Sequence, residues 1–594
     1  MKKIINNYED IVPEMCQGMV LTYPELVWDK EYNIISRRKL RKDKVTLISG
    51  GGSGHEPAHG GFVGEGMLDA AVCGDIFASP SQIQVYQAIK KTAGDKGVLL
   101  IIKNYSGDMM NFKNGAYLAE EDGIQVEYVK VADDIAVQDS LYTVGRRGVA
   151  GTVFVHKIAG AAAERGYTLE QVKQAAQKTA DSVKSLGFAF SSCVVPAKGT
   201  PTFLLKEDEM EYGVGIHGEP GIRREKILSA DQLGKRMVKE LTRELGIKKD
   251  EKYRTALLVN GLGGTPLQEL YILNRAVRQA LEEEGAEVLY NLTGNYMTSI
   301  DMCGASVSIL KLDQELEELF RESCSTPALK IAEPERSISF RCLKENKRTE
   351  NPELTGTVLH ASPIIDNERI KMENITYILQ CMTECIIKNE KKFCDMDSFA
   401  GDGDFGMSVA KGFRKLKEKW PVILQEHCSG IGELLETCGF IIMEYCGGAS
   451  GPIWGSAFRM AGKAAGDRKI LTKREFADLL GEAVKGIQKT GERSFGRGAV
   501  IGDKTLIDAL IPCRDVWEKT GDTQDSVVDT FRMGAQAAVE GAEATEQIVA
   551  RMGRAGTVGE RSLGHPDAGA YALGVIFTDI AEKLEAANRR YGGK

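Results

Sequence analysis

The sequence predicts an α/β half followed by an all-helical half, and three observations carry that expectation. Before residue 330, short continuous apolar runs alternate with helical segments, the pattern of strands buried on both faces. Residues 331–365 are charged and proline-punctuated, with Glu333-Pro334-Glu335-Arg336 and the run Glu345 to Pro352 weakly periodic, and they read as a solvated linker. Beyond them apolar residues recur at helical spacing and strand signals nearly vanish. The expected organisation is 1–330 in two α/β lobes with a break near 185–200, a linker at 331–365, and an all-helical domain at 366–594. At 594 residues the chain is too long for one core and should form three or four domains.

In chain order, the first strand candidate is Val45 to Ile48, followed by Ser49-Gly50-Gly51-Gly52-Ser53-Gly54-His55-Glu56-Pro57. Glycines there allow a tight bend and a close approach of backbone to ligand. No Lys-Ser/Thr follows them and a histidine closes the turn, so neither a P-loop nor a dinucleotide fingerprint fits. A histidine so placed points to a small polar substrate at a catalytic site. Val98 to Ile102 is a second strand candidate, running into Lys103-Asn104-Tyr105-Ser106-Gly107-Asp108. Gln125 to Val129 and Thr255 to Val259 are further strands, the latter ending in Asn260 to Pro266. Ligands of such sheets bind beyond the carboxyl ends of strands.

In the helical half, Ile375, Ile378, Leu379, Met382 and Ile386 form one stripe, and similar stripes run through 430–446, 475–488, 524–551 and 568–588. Between them, Asp395 to Gly406 gathers four carboxylates around three glycines. Carboxylates this close repel unless a hard cation sits between them. The spacing fails the EF-hand pattern, and Mg²⁺ held for nucleotide phosphates fits better; a solvated acidic turn is the alternative. Gly447 to Pro452, Gly502-Asp503-Lys504-Thr505 and Gly564 to Gly569 each open a helix, where amides bind phosphate or simply cap.

Composition narrows the partners. The net charge of −8 without a long basic tract argues against nucleic acid. The amino terminus lacks a signal peptide's apolar core, and no apolar run is long enough to span a bilayer, so a cytoplasmic enzyme is expected. The 13 cysteines are scattered and read as reduced core residues. His59, His156, His360 and His427 carry no motif and read as structural, and His565 as a helix cap.

Gly51 to Pro57, Lys103 to Asp108 and Gly213 to Gly221 resemble the substrate domain of the dihydroxyacetone (glycerone) kinase family. Gly401-Asp402-Gly403-Asp404, Gly447 to Gly451, Gly502 to Thr505 and Gly564 to Gly569 are similar to that family's nucleotide domain. The resemblance covers nearly the whole chain in order. The fused layout resembles the single-chain ATP-dependent form, not the phosphotransferase-system form with its domains on separate chains.

The resemblance implies phosphorylation of dihydroxyacetone by ATP. It implies that His217 binds the carbonyl carbon as a hemiaminal, and that His55 and Asp108 bond the hydroxyls and accept the proton. Gly52, Ser53, Gly54 and Lys103 complete that pocket. By the same resemblance Asp397, Asp402 and Asp404 hold two Mg²⁺ ions, and the nucleotide lies against Asp404, Phe405, Gly406, Met407, Ala449, Ser450, Thr505, Leu506, Asp567 and Gly569. It further implies a barrel of eight antiparallel helices, and a homodimer in which each helical domain faces the other chain's ketone domain.

Phe405, Met407, Ala449 and Trp454 depart from the family's usual residues, which implies thinner phosphate contacts. Two other readings stand beside the kinase of dihydroxyacetone: a kinase of a short ketose such as erythrulose, and a non-catalytic ketone-sensing regulator. The three aspartates argue against the regulator, which needs no paired Mg²⁺.

Overall fold

The computed structural model describes residues 2–137, 145–248, 251–332, 360–426, 429–553 and 555–591. The chain divides into two compact units, Met1–Lys344 and Glu345–Lys594. Most of the expected linker, including the two charged stretches that suggested it, lies outside the described residues, as does His427.

The first unit holds two six-stranded sheets. Strands β1 (Leu26–Asp29), β2 (Ile34–Arg37), β3 (Thr46–Ser53), β4 (Ala70–Ile76), β5 (Val98–Lys103) and β6 (Val126–Val131) lie in the order β1-β2-β4-β3-β5-β6. Its β4-β3-β5-β6 portion is parallel. The second sheet has β7 (Val183–Ala189), β8 (Glu209–Tyr212), β9 (Arg223–Lys226), β10 (Tyr253–Gly261), β11 (Ala286–Gly294) and β12 (Gly304–Leu312) in the order β11-β10-β12-β7-β8-β9. Only β10 and β11 run parallel there. The break near 185–200 therefore falls inside the second sheet. The change of sheet comes earlier, where helix α5 (Leu169–Ser182) runs directly into β7.

Helices α1 (Ile11–Thr22), α2 (Gln82–Thr92), α3 (Ser106–Glu121), α4 (Thr152–Glu164), α6 (Ala230–Glu244), α7 (Leu267–Glu283) and α8 (Gln314–Arg321) complete the unit. The apolar runs of the strands are explained by layering. Leu99 and Ile101 face a core shared with α4 and α5, while Val98, Leu100 and Ile102 face α2 and α3. In β10, Ala256 and Leu258 join that shared core, and Leu257 and Val259 pack on α6 and α7. Helix α4 lies between the sheets and is buried from Thr152 to Ala163 on every face.

The second unit is helical: α9 (Met372–Lys388), α10 (Glu390–Asp397), α11 (Phe405–Glu426), α12 (Ile431–Tyr445), α13 (Ser450–Ala465), α14 (Lys473–Phe495), α15 (Ile507–Thr520), α16 (Val527–Ala544) and α17 (Ala568–Tyr591). Eight of these, all but the short α10, pack neighbour on neighbour, and α17 returns to α9, closing a ring. The stripe Ile375, Ile378, Leu379, Met382 and Ile386 faces its interior. The stripe expected over 524–551 stops at Ala544, and the apolar residues after it fold into a loop. No helix among the described residues is long and apolar enough to cross a membrane.

Candidate functional sites in the two units

The glycines after Ile48 do not form a turn, as their composition suggested: β3 runs on through them to Ser53. The reason is space. A Cβ on Gly51 would lie 2.6 Å from Lys103 Nζ and 3.4 Å from Asp108 Oδ2, so glycine lets both side chains reach the strand. The bend comes one step later, at Gly54 (φ 103°).

That bend delivers His55, fully buried, beyond the end of β3. Its Nδ1 lies 2.8 Å from the Thr298 carbonyl, which only accepts, so Nδ1 carries the proton and Nε2 presents a lone pair. Nε2 of His217, in the loop after β8, stands 3.2 Å away with the rings edge to face. Phe77 stacks on His55, and Phe77 and Tyr105 meet the His217 ring edge to face.

Around the imidazoles, Lys103 ends β5, fully buried, its Nζ without a hydrogen-bond partner and 3.9 Å from Asp108 Oδ2. Asp108, in the first turn of α3, accepts the Ser79 hydroxyl at 2.5 Å. Ser53 donates its hydroxyl to the Gly74 carbonyl, and Gly52 sits against the backbone of Phe77 and Ala78.

Burial sets the protonation. It drives His55 well below the ordinary histidine range, helped by His217 and Lys103. It lowers His217 to about 3, helped by the charges of Lys103 and Arg147. Both imidazoles are therefore neutral nucleophile or base candidates at neutral pH. Burial also lowers Lys103 and raises Asp108, the latter opposed by Lys103 and Ser79.

Each histidine is held by a glutamate that sequence reasoning passed over. Both oxygens of Glu56 accept the Gly54 N–H, and Glu219 Oε2 accepts the His217 N–H at 2.8 Å. Glu219 in turn receives Arg147, which is buried and paired with Asp134. The signal was present: a glutamate and proline follow each histidine, in His55-Glu56-Pro57 and His217-Gly218-Glu219-Pro220. Thr298, Ser79 and Arg147 carry no local signal. His59 and His156 form a buried pair, Nδ1 to Nε2 at 3.0 Å.

In the helical unit, Asp397 closes α10 and turns its Oδ2 back to accept the Gly403 N–H at 2.9 Å. One carboxylate oxygen from each of Asp397, Asp402 and Asp404 lies within 4.8 Å of the others. An octahedral Mg²⁺ shell, with metal–oxygen distances of about 2.1 Å, spans about 4.2 Å between opposite ligands. The donor set thus fits that ion after a small closure.

A cleft beside it is lined by Asp397, Phe405, Ala449, Ser450, Thr505, Leu506, Asp567 and Gly569. Ser450 begins α13, its N-cap Ala449 makes no side-chain bond to the first turn, and both residues line the cleft. Thr505 donates its N–H to Asp508 Oδ2 just ahead of α15. Three expected residues, Asp404, Gly406 and Met407, are not on this lining. Met407 is 57% exposed, and Gly406 packs where a Cβ would meet the Glu390 carbonyl, allowing α10 and α11 to touch.

Asp567, not His565, caps α17, accepting the Ala570 N–H at 2.8 Å. His565 instead stacks on Phe399, centroids 3.7 Å apart. A short acceptor on a fixed backbone caps a helix; an imidazole two residues earlier does not reach. Burial raises Asp567 to about 7, and the nearby Asp508 adds to the shift.

The Dak1 domain model matches residues 17–328 and the DAK2 domain model residues 399–582. Over 316 residues the chain is 51% identical to the dihydroxyacetone-binding subunit of PTS-dependent dihydroxyacetone kinase 1 from Listeria innocua, covering 53% of this chain and 95% of that one. It is 33% identical over 586 residues to L-erythrulose 1-kinase of Mycolicibacterium smegmatis, covering 98% and 100%. Among solved structures, the dihydroxyacetone kinase of C. freundii in complex with AMP-PNP and Mg²⁺ is 30% identical, with a TM-score of 0.59 over 98% of this chain and 99% of that one.

Proposed function

The chain belongs to the dihydroxyacetone kinase family, and from that premise we propose that it transfers the terminal phosphoryl group of ATP to a hydroxyl of dihydroxyacetone. The observation that carries this reading is the pair of facing imidazoles, His55 and His217, with Lys103 and Asp108 beside them.

The ketone enters between the two Nε2 atoms. His55 Nε2 takes the proton from His217 Nε2, and the freed lone pair adds to the carbonyl carbon. The carbonyl π pair moves to oxygen, which receives that proton from His55. The result is a neutral hemiaminal on His217, and no proton is gained or lost. Such a tether fixes a three-carbon substrate whose contact area is too small to orient it. Asp108, raised by burial and held by Ser79, accepts the proton of the hydroxyl to be phosphorylated.

The helical unit holds ATP against Ala449, Ser450, Thr505, Leu506 and Asp567, with Asp404, Phe405, Gly406 and Met407 at the start of α11 completing the phosphate end. Asp397, Asp402 and Asp404 hold two Mg²⁺ ions, which when bound neutralise the phosphates during transfer. Ketone and ATP thus bind to separately folded parts, 1–330 and 366–594, joined by the 331–365 linker. Composite sites in a homodimer bring them together. Mixing His217→Ala with Asp402→Asn, each inactive alone, restores part of the activity if subunits exchange and each site draws on both chains; exchange without recovery rejects the crossed arrangement.

A four-carbon substrate is the second reading, favoured by the full-length likeness to an L-erythrulose 1-kinase. ATP consumption against dihydroxyacetone, glyceraldehyde and both erythrulose enantiomers decides. A higher kcat/KM for dihydroxyacetone supports the first reading, and a higher value for an erythrulose replaces it.

A further inference from the structure

Lys504, just ahead of α15, is a buried cation held by backbone oxygens. It sits in the left-handed backbone region, φ 61°, where a non-glycine residue is strained. The residue is 2% exposed, yet among the described residues no carboxylate forms an ion pair with it. Instead Nζ is surrounded by four backbone carbonyls: Thr545 at 2.8 Å, Ile548 at 3.2 Å, Ser562 at 2.5 Å and His565 at 2.8 Å.

An ammonium has three protons and cannot direct one at each of four oxygens. A shell of backbone carbonyls is how proteins hold potassium. Burial lowers the pKa of Lys504, and Asp567 and Glu546 oppose that shift from a distance. The four carbonyls belong to the crossing between α16 and α17, which carries His565 and Asp567 to the cleft, and Lys504 itself lines that cleft beside Thr505.

We propose that the Lys504 ammonium is a tethered monovalent cation that orders the crossing between α16 and α17 and thereby sets one wall of the cleft. With the side chain removed, the same carbonyl cage takes a free potassium, ammonium or alkylammonium ion. Lys504 is a positioning residue in this account; its effect on ATP rests on the cleft being the nucleotide site, but the cation cage does not.

The test compares Lys504→Ala, which empties the cage, with Lys504→Met, which fills the stem's space without charge. Hydrogen exchange is followed at residues 545–548 and 562–565, in potassium, ammonium or n-propylammonium chloride, with lithium chloride at equal ionic strength as reference. In lithium, both variants should exchange there about tenfold faster than wild type, because hydrogen bonds to a charged donor are lost. Potassium or n-propylammonium should restore protection in Lys504→Ala but not in Lys504→Met, whose side chain blocks the cage.

Wild-type protection in Lys504→Met, or no cation effect in Lys504→Ala, overturns the proposal. If Lys504→Ala is unfolded in lithium, recovery of far-UV circular dichroism on transfer to potassium or n-propylammonium supports it, and failure in every salt overturns it. The KM for ATP should follow protection while kcat at saturation changes little. Cation-dependent protection without a change in that KM leaves the cage standing and removes the nucleotide reading of this wall.

Discussion

In the α/β unit the chemistry-bearing side chains are bound to one another before any ligand arrives, whereas in the helical unit loops present amides and carboxylates to an open cleft. His55 meets His217 at 3.2 Å, Asp108 is held by Ser79, and both histidine loops are pinned by glutamates. One carboxylate oxygen from each of Asp397, Asp402 and Asp404 stands within 4.8 Å of the others, a spacing at which ionised carboxylates repel. The difference teaches that the proposed ketone site is pre-organised by burial, with neutral imidazoles, while the proposed nucleotide site leaves its carboxylates and cleft open.

The comparison breaks most directly at the two sets of ligating groups. His217→Ala should lose the carbonyl adduct and lower kcat/KM by about 10⁴, since covalent positioning accounts for that much or more of such rate enhancements. Asp404→Asn should lower kcat by about 10³, a loss of several kcal/mol of metal stabilisation, while the adduct forms as in the wild-type protein. Loss of the adduct in Asp404→Asn would show that the ketone site is not independently assembled.

Smaller changes sharpen the contrast. Ser79→Ala removes a hydrogen bond to the ionised form of Asp108, so the carboxyl pKa rises. The ascending limb of the kcat/KM profile against pH should move to higher pH, with about a tenfold loss at neutral pH. An unmoved limb would take the base role from Asp108.

Asp567 tests the open cleft. Its folded pKa of about 7 lies above the unfolded value of about 3.9, so its contribution is full below about pH 4 and is lost as pH rises to about 7. The thermal stability of the helical unit should fall as pH rises over that window, and Asp567→Asn should flatten the trend. An unchanged slope would contradict a buried, neutral carboxyl there.

What was legible in the sequence follows the same division. His55 and His217 stand in glycine-rich segments, and Lys103 and Asp108 in a polar segment running on from an apolar strand, and that composition is visible locally. Their partners are not: Thr298 reaches His55 across 243 residues, and Arg147 lies 72 residues from Glu219. Only the fold brings them together. Gly51 was misread as part of a turn because glycine weakens a strand; here the room needed by Lys103 and Asp108 outweighs that preference. In the helical half, apolar periodicity continued past Ala544 through Ile548 and Val549, but the carbonyls of that segment turn inward to Lys504 in place of helical bonding. Periodicity records which side chains are apolar, not where backbone oxygens find their donors.

One spectrum tests whether the ketone is bound covalently. Protein labelled with ¹⁵N-histidine is mixed with dihydroxyacetone carrying ¹³C at the carbonyl carbon. A bound tetrahedral carbon with one-bond coupling to an imidazole nitrogen is expected in the wild-type protein and in Asp404→Asn, and its absence in His217→Ala. A bound carbon without coupling to nitrogen, whether ketone or hydrate, would contradict it.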